Sequence, residues 1–465
     1  MADELWTRSA GDLAAMIADR EVSATEVLES HLDRVAAVND SLNAVVRILE
    51  AEARDAAAVA DRAVAAGEPL GPLHGVPISV KDNIDVVGDV STQGIPMLAE
   101  TPATADAPAV ARMRAAGAIP FVRTNMPELG LRVHTHSATY GLTRNPWDPE
   151  VTVAGSSGGE ASAIAAGMSP LGLGNDIGGS LRNPAYACGI ASIKPSAQRV
   201  PYATTTMPGT ALMAEQLMLA QGVLARRIAD VRQGFRILAG TDPLDPYCID
   251  APFDGPPTPK RAALVPEPAG GSTDPRIADA VRAAGVALEA AGWQVDLVEP
   301  PRLEEAYLAW TMQMTGDLAH MRPILEMALT PESLSFLDAG GDLLPEPTVE
   351  SLHATHQLRL EIATAWATFM EQYPVIVGPT WTQRPFPHGF DISSTEASME
   401  VLAMMRFVLP QNLLGIPAVC VPTGIADGLP TGVQITGRRF REDDCLAVGE
   451  LLEDAFGILT PIDPR

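Results

Sequence analysis

From Val76 the chain takes up a period of two, with Val76, Ile78 and Val80 on one face and Pro77, Ser79 and Lys81 on the other. That pattern specifies a strand, and this strand ends on a lysine. Residues 106–116 follow as a short helix closed by Gly117, and the apolar run 118–122 reads as a second, buried strand. A helix inserted between two strands is the mark of a crossover, so the expectation is an α/β body on a largely parallel sheet.

The first 70 residues read as helices: Ser23 and Glu26 have the spacing of a capping box, and Val27, Leu28, Leu32 and Val35 recur at helical intervals. Residues 274–291 read as an amphipathic helix followed by a strand through Val295 and Leu297. Apolar runs at 418–421 and 433–435, then a helix near 446–455, bring the end of the chain back to order. No stretch of the 465 residues resembles a flexible linker, so one domain spanning 1–465 is expected. Within it, 1–70 is the N-terminal helical segment, 71–200 and 370–460 form the catalytic core, and 200–370 is a variable substrate-binding wall or lid.

Charge removes two classes of function. The chain carries 58 acidic and 32 basic residues, a formal charge of −26, which repels phosphate backbones and anionic membrane surfaces. Nucleic acid and membrane are therefore not expected as partners. Cys188, Cys248, Cys420 and Cys445 are dispersed, with no CxxC pair, so neither a disulfide framework nor a metal site is expected, and no cofactor motif calls for one. Met1 is followed by Ala2, Asp3 and Glu4 in place of a basic and then apolar leader, and no run of 18 apolar residues occurs; the reading is a soluble, cytoplasmic chain that allows a homodimer.

Three local features carry chemistry. Lys81 closes an apolar strand, where lost hydration disfavours its charged form; an exposed strand end or an ion pair with Asp82 are the plainer roles open to it. The loop Gly155-Ser156-Ser157-Gly158-Gly159-Glu160 places two adjacent hydroxyls among glycines before a helix of small residues, and it lacks the Gly-Lys-Ser/Thr of a phosphate-binding loop. The turn Asp176-Ile177-Gly178-Gly179-Ser180-Leu181-Arg182 sets glycines directly before a serine, so that backbone N–H groups can gather on a developing oxyanion. Asp176 and Arg182 are expected to pair across that turn and stiffen it, with Ser157 supporting the loop beside it. A serine hydroxyl needs a base, and none of the eight histidines is marked as one. A relay from Ser180 through Ser156 to a neutral Lys81 is chemically sufficient.

Together these residues identify a resemblance: the chain resembles the amidase signature family of serine hydrolases. The likeness rests on Gly75-Val76-Pro77-Ile78-Ser79-Val80-Lys81-Asp82-Asn83, Thr124-Asn125-Met126-Pro127-Glu128, Asn145-Pro146-Trp147 and the two serine loops, with 24 residues from Ser156 to Ser180. Late in the chain, Asn412-Leu413-Leu414-Gly415-Ile416-Pro417-Ala418 and Gly428-Leu429-Pro430-Thr431-Gly432-Val433-Gln434 extend it. Val122-Arg123 and Ala154 depart from the family, which often has Gly-Lys and a glycine there. The resemblance implies a large mixed, mostly parallel β-sheet flanked by helices, Lys81 as base, Ser156 after a cis peptide as relay, and Ser180 as acylated nucleophile. It also implies an oxyanion hole from the N–H groups of Ile177, Gly178, Gly179 and Ser180. The expected activity is amidohydrolase cleavage of a carboxylic amide, anilide or carbamate through an acyl-enzyme, with esters as side substrates.

Other readings stay open at this stage. The catalytic subunit of a glutamine-dependent tRNA amidotransferase shares these signatures, and an α/β-hydrolase-type esterase would use Ser157 as nucleophile in G-x-S-x-G. A catalytically dead binding protein on the same fold is a further one. Met207, Met213, Tyr307, Trp310, Met314, Trp381 and Phe386 are candidates for an apolar substrate pocket or, equally, for the core. His134 and His136 are expected near the mouth of the site, as satisfied or exposed side chains or as substrate contacts.

Overall fold

The sheet that organises the chain is drawn from both of its halves. In the computed structural model, which describes residues 4–206, 211–341 and 346–464, the strands in chain order are β1 (Val45–Ile48), β2 (Pro77–Lys81), β3 (Ile119–Thr124), β4 (His136–Ser137), β5 (Gly141–Leu142), β6 (Leu171–Asp176) and β7 (Ala191–Lys194). They continue with β8 (Ala220–Ala225), β9 (Arg261–Leu264), β10 (Gln294–Leu297), β11 (Val375–Pro379), β12 (Ala418–Ala426) and β13 (Leu429–Gly437). Among the described residues eleven of these form one sheet in the order β1-β3-β2-β6-β8-β7-β12-β13-β11-β9-β10, and β4 and β5 make a separate small ribbon.

The sheet is mixed, but not mostly parallel. Parallel pairing is confined to β3-β2-β6 and to β11-β9-β10. The pairs β1-β3, β6-β8, β8-β7, β7-β12, β12-β13 and β13-β11 are antiparallel. The helix–strand alternation around residues 76–122 describes only one flank. The turn Asp427-Gly428, with φ of 46° and 80°, joins β12 to β13 as a tight hairpin, because both central residues adopt the left-handed conformation that matches strand twist.

The two faces of the sheet read directly from side-chain alternation. Val375, Val377, Val419 and Val421 enter one core with the helices Ala24–Leu42, Ile228–Leu238 and Glu442–Phe456, while Ile376 and Cys420 enter the other. Ile78 and Val80 of β2 belong to the first core, so Ser79 and Lys81 face the second side, where the helix Gly158–Ala165 lies. The first 70 residues hold the helices Ala10–Ala18, Ala24–Leu42 and Glu50–Ala66, with the capping box of Ser23 and Glu26 formed, and β1 between them pairs with the edge of β3. The span 200–370 is not simply a lid: β8, β9 and β10 are built into the main sheet. Its helices Leu303–Ala328 and Val349–Gln372 pack into the second core through Trp310, Ile362, Trp366 and Met370.

Candidate active site

Parallel neighbours β2 and β6 bring their carboxyl ends side by side, and such strand ends are where open α/β sheets hold their ligands. Lys81 is the last residue of β2; Asn175 and Asp176 end β6. Lys81 is wholly buried, and its Nζ donates to Ser156 Oγ at 2.7 Å and to Asn175 Oδ1 at 2.9 Å. Asn175 is held in turn by Asn83, whose Oδ1 accepts from its Nδ2 at 3.0 Å. Burial lowers the pKa of Lys81 from 10.5 to about 7, outweighing the opposing pull of Asp176 and Glu160. Burial brings Lys194 to about 7 as well, but its ammonium donates to the Pro195 carbonyl at 2.8 Å, so contact with a serine sets Lys81 apart.

The serine loop is shaped by close backbone approach. Ala154 adopts φ 63°, a conformation that favours the glycine otherwise usual at this place, and Thr135 Oγ1 donates to its carbonyl at 2.7 Å. A side chain at Gly155 would stand 2.9 Å from the Arg132 carbonyl oxygen, so the loop closes on that segment only with glycine. The Gly155–Ser156 peptide bond is cis. Ser157 begins the helix Gly158–Ala165, and its N–H donates to the Ser180 carbonyl at 3.2 Å, which joins the two serine loops.

The turn carrying Ser180 is clamped from within. Asp176 Oδ1 accepts from the Gly179 N–H at 2.7 Å and Oδ2 from the Leu181 N–H at 3.1 Å, while Arg182 grips both oxygens at 3.0 Å. Burial alone would raise the pKa of this carboxyl, yet the charge and hydrogen bonds of Arg182 outweigh it and hold it at about 2. The Gly179 N–H is thus turned inward. The N–H groups of Ile177, Gly178 and Ser180 make no hydrogen bond to another described residue. Arg182 also donates to Gln434 Oε1 and Asn412 Oδ1, each at 2.6 Å.

Sequence reasoning missed several neighbours. Glu160, the last residue of the serine-loop motif, is buried beside β2, accepting from Ser79 Oγ and from Thr124 Oγ1 at 2.9 Å; burial raises its pKa to about 7 against those hydrogen bonds. Asn83 and Asn175 also flank the motifs, but their contact with Lys81 depends on a strand pairing that no local pattern reveals. Glu128 accepts from Ala138 N–H at 3.0 Å and from Thr330 N–H at 2.8 Å, tying the loop before Gly130 to the end of the long helix Leu303–Ala328. Of the pocket candidates, Trp381 and Phe386 stack on each other in the core, Met213 is exposed, and Met207 lies outside the described residues. Tyr307, Trp310 and Met314 share one face of the helix Leu303–Ala328, and Trp310 touches the Ser180 turn. His134 is buried and bonded to Thr152 Oγ1 at 2.9 Å, and His136 is exposed. Ser157, the rival nucleophile, is wholly buried, and its Oγ has no hydrogen-bond partner among the described residues. No cluster of metal-ligating side chains occurs among the described residues, and no helix there is long and apolar enough to cross a membrane.

Residues 26–446 match the family described as Amidase. The chain is 40% identical over 461 residues to the indoleacetamide hydrolase of Bradyrhizobium diazoefficiens, a match covering 98% of this chain and 88% of that protein. It is 32% identical over 495 residues to a glutamyl-tRNA(Gln) amidotransferase subunit of Salinispora tropica, covering 98% and 99%. The solved structure of 6-aminohexanoate cyclic dimer hydrolase complexed with substrate superposes with a TM-score of 0.86 at 29% identity, covering 99% of each chain.

Proposed function

We propose, from the premise that this chain belongs to the amidase family and is an amidohydrolase acting on carbon–nitrogen bonds, that Ser180 is its nucleophile, Ser156 its proton relay and Lys81 its base. The observation that carries this reading is the 2.7 Å contact between the wholly buried Lys81 and Ser156, one residue from the N–H that holds the Ser180 carbonyl. Ser180 Oγ attacks the amide carbonyl as its proton passes to Ser156 and that of Ser156 to Lys81. The oxyanion is received by the N–H groups of Ile177, Gly178 and Ser180, with Gly179 left to hold the turn against Asp176. Lys81 returns the proton through Ser156 to the departing nitrogen. Water then hydrolyses the acyl-enzyme by the same relay run in reverse.

The acyl group is apolar and aromatic, of the arylacetamide kind. Tyr307, Trp310 and Met314 supply an apolar wall beside the turn, and the name of the Bradyrhizobium relative points the same way. A tRNA amidotransferase would have to hold the charged groups of glutamine instead.

The test is a panel of indole-3-acetamide, phenylacetamide, an acetanilide, a matched aryl ester and L-glutamine, assayed with wild type and with Lys81→Ala, Ser156→Ala and Ser180→Ala. The expected result is cleavage of the arylacetamides, lost by roughly three orders of magnitude or more in each variant. Preference for glutamine would sink the substrate assignment, and an active Ser180→Ala the catalytic one.

A further inference from the structure

Every carbonyl of the turn from Asp176 to Gly179 is tethered. Asn412 Nδ2 donates to the Asp176 carbonyl at 3.1 Å, Asn183 Nδ2 to that of Gly178 at 3.2 Å, and the Asn183 N–H to that of Gly179 at 2.6 Å. These tethers come from the turn's own helix and from the C-terminal part of the chain. The Ile177 carbonyl is held differently: it accepts from the indole Nε1 of Trp310 at 2.8 Å, and Trp310 belongs to the helix Leu303–Ala328 of the variable span.

We propose that Trp310 is a positioning residue that aims the Gly178 N–H at the reacting carbonyl oxygen. In a trans peptide unit the C=O and the N–H point in opposite directions within one plane. The indole that anchors the Ile177 carbonyl on one side therefore fixes where the Gly178 N–H points on the other, and this N–H has no partner among the described residues. The ring also closes the remaining freedom of that peptide. A methyl group at Gly178 would stand 2.7 Å from Trp310 Cζ2, so the indole is packed close against this backbone and leaves the plane little room to tilt. Trp310 is itself packed in the second core, so its own orientation is set by its surroundings. A donor must already be aimed when charge develops, because its value in the transition state lies in needing no reorganisation. The same side chain thus ties the wall beside the acyl group to the cradle for the oxyanion.

This inference rests on the assignment of Ser180 as nucleophile, and the experiment separates the two. Trp310→Phe keeps an aromatic ring and deletes the N–H; incorporation of 3-benzothienylalanine at position 310 keeps the bicyclic shape, with sulfur in place of the N–H, should the phenylalanine variant fold poorly. For either, kcat on phenylacetamide is expected to fall about 10- to 100-fold with KM within about twofold. Affinity for an aryl trifluoromethyl ketone, which Ser180 Oγ converts to a tetrahedral hemiketal, is expected to fall by the same factor, while affinity for phenylacetic acid, the planar product, holds. Unchanged kcat and ketone affinity, with Ser180→Ala inactive, would overturn the role of Trp310 alone. Equal losses for ketone, product and substrate would make the residue a pocket wall alone and also overturn it. An active Ser180→Ala would remove the premise whatever Trp310 does.

Discussion

Lys81 is the residue at which the proposed function and stability oppose each other. With a pKa near 7 it is charged in mildly acidic solution and free to accept a proton above it, so kcat/KM is expected to rise with pH through about 7 and then level off. A profile flat from pH 5 to pH 9 would remove lysine from the role of base. The same burial has a thermodynamic cost. Between about 7 and 10.5 the unfolded chain keeps a proton that the folded chain has released, so folding stability rises with pH across that window; the full penalty is present below about 7 and none of it above 10.5. That gap corresponds to roughly 5 kcal/mol. Lys81→Met is therefore expected to be inactive yet more stable than wild type by several kcal/mol at pH 7, with the gain shrinking toward pH 10. Urea titrations at the two pH values decide it, and a gain that does not change with pH would mean that packing, not deprotonation, is responsible.

Among the elements, the long helix Leu303–Ala328 and the helix Pro331–Gly341 behave as one cover on the serine loops. Leu325 and Leu329 pack with Leu129 and Leu131, and Glu128 binds Thr330 at their junction. Gly130, between those leucines, would bring a side chain to 3.1 Å from Ser156 Oγ, so the cover rests close to Ser156. Glu128→Ala is expected to loosen this contact, seen as faster proteolytic cleavage at residues 128–131 or 329–331 together with a lower kcat/KM; unchanged cleavage would show that the leucines suffice alone. Local pattern makes much of this region legible in the sequence, since the strand ending at Lys81, the capped helix after Ser23 and the two glycine-flanked serines each follow from residues a few positions apart. The contacts of Asn175 with Lys81 and of Trp310 with the Ile177 carbonyl are not legible there, because each joins residues more than ninety positions apart that only the tertiary fold brings together. The mixed sheet is hidden for a similar reason: Asp427-Gly428 is a short hairpin signal, and the partners of that hairpin, β7 and β11, lie far away in sequence.

For the whole molecule, an excess of acidic groups giving −26 makes the folded state repel itself. Raising NaCl from about 0.02 to about 0.5 M shortens the screening length several-fold, so the melting temperature is expected to rise. A fall instead would mean that exposed pairs such as Arg282–Glu267 and Arg302–Glu361 outweigh the net repulsion. The sheet also has a seam, where β7 meets β12, and the clamp on Asp176 reaches across it through Arg182 to Asn412 and Gln434. During synthesis Lys81, Ser156 and Ser180 leave the ribosome more than two hundred residues before Asn412 and Gln434. The nascent chain therefore carries its whole set of reactive groups through much of its elongation without the frame that holds Ser180 in place. A chain cut short at about residue 400 is therefore expected to be inert although Lys81, Ser156 and Ser180 are all present.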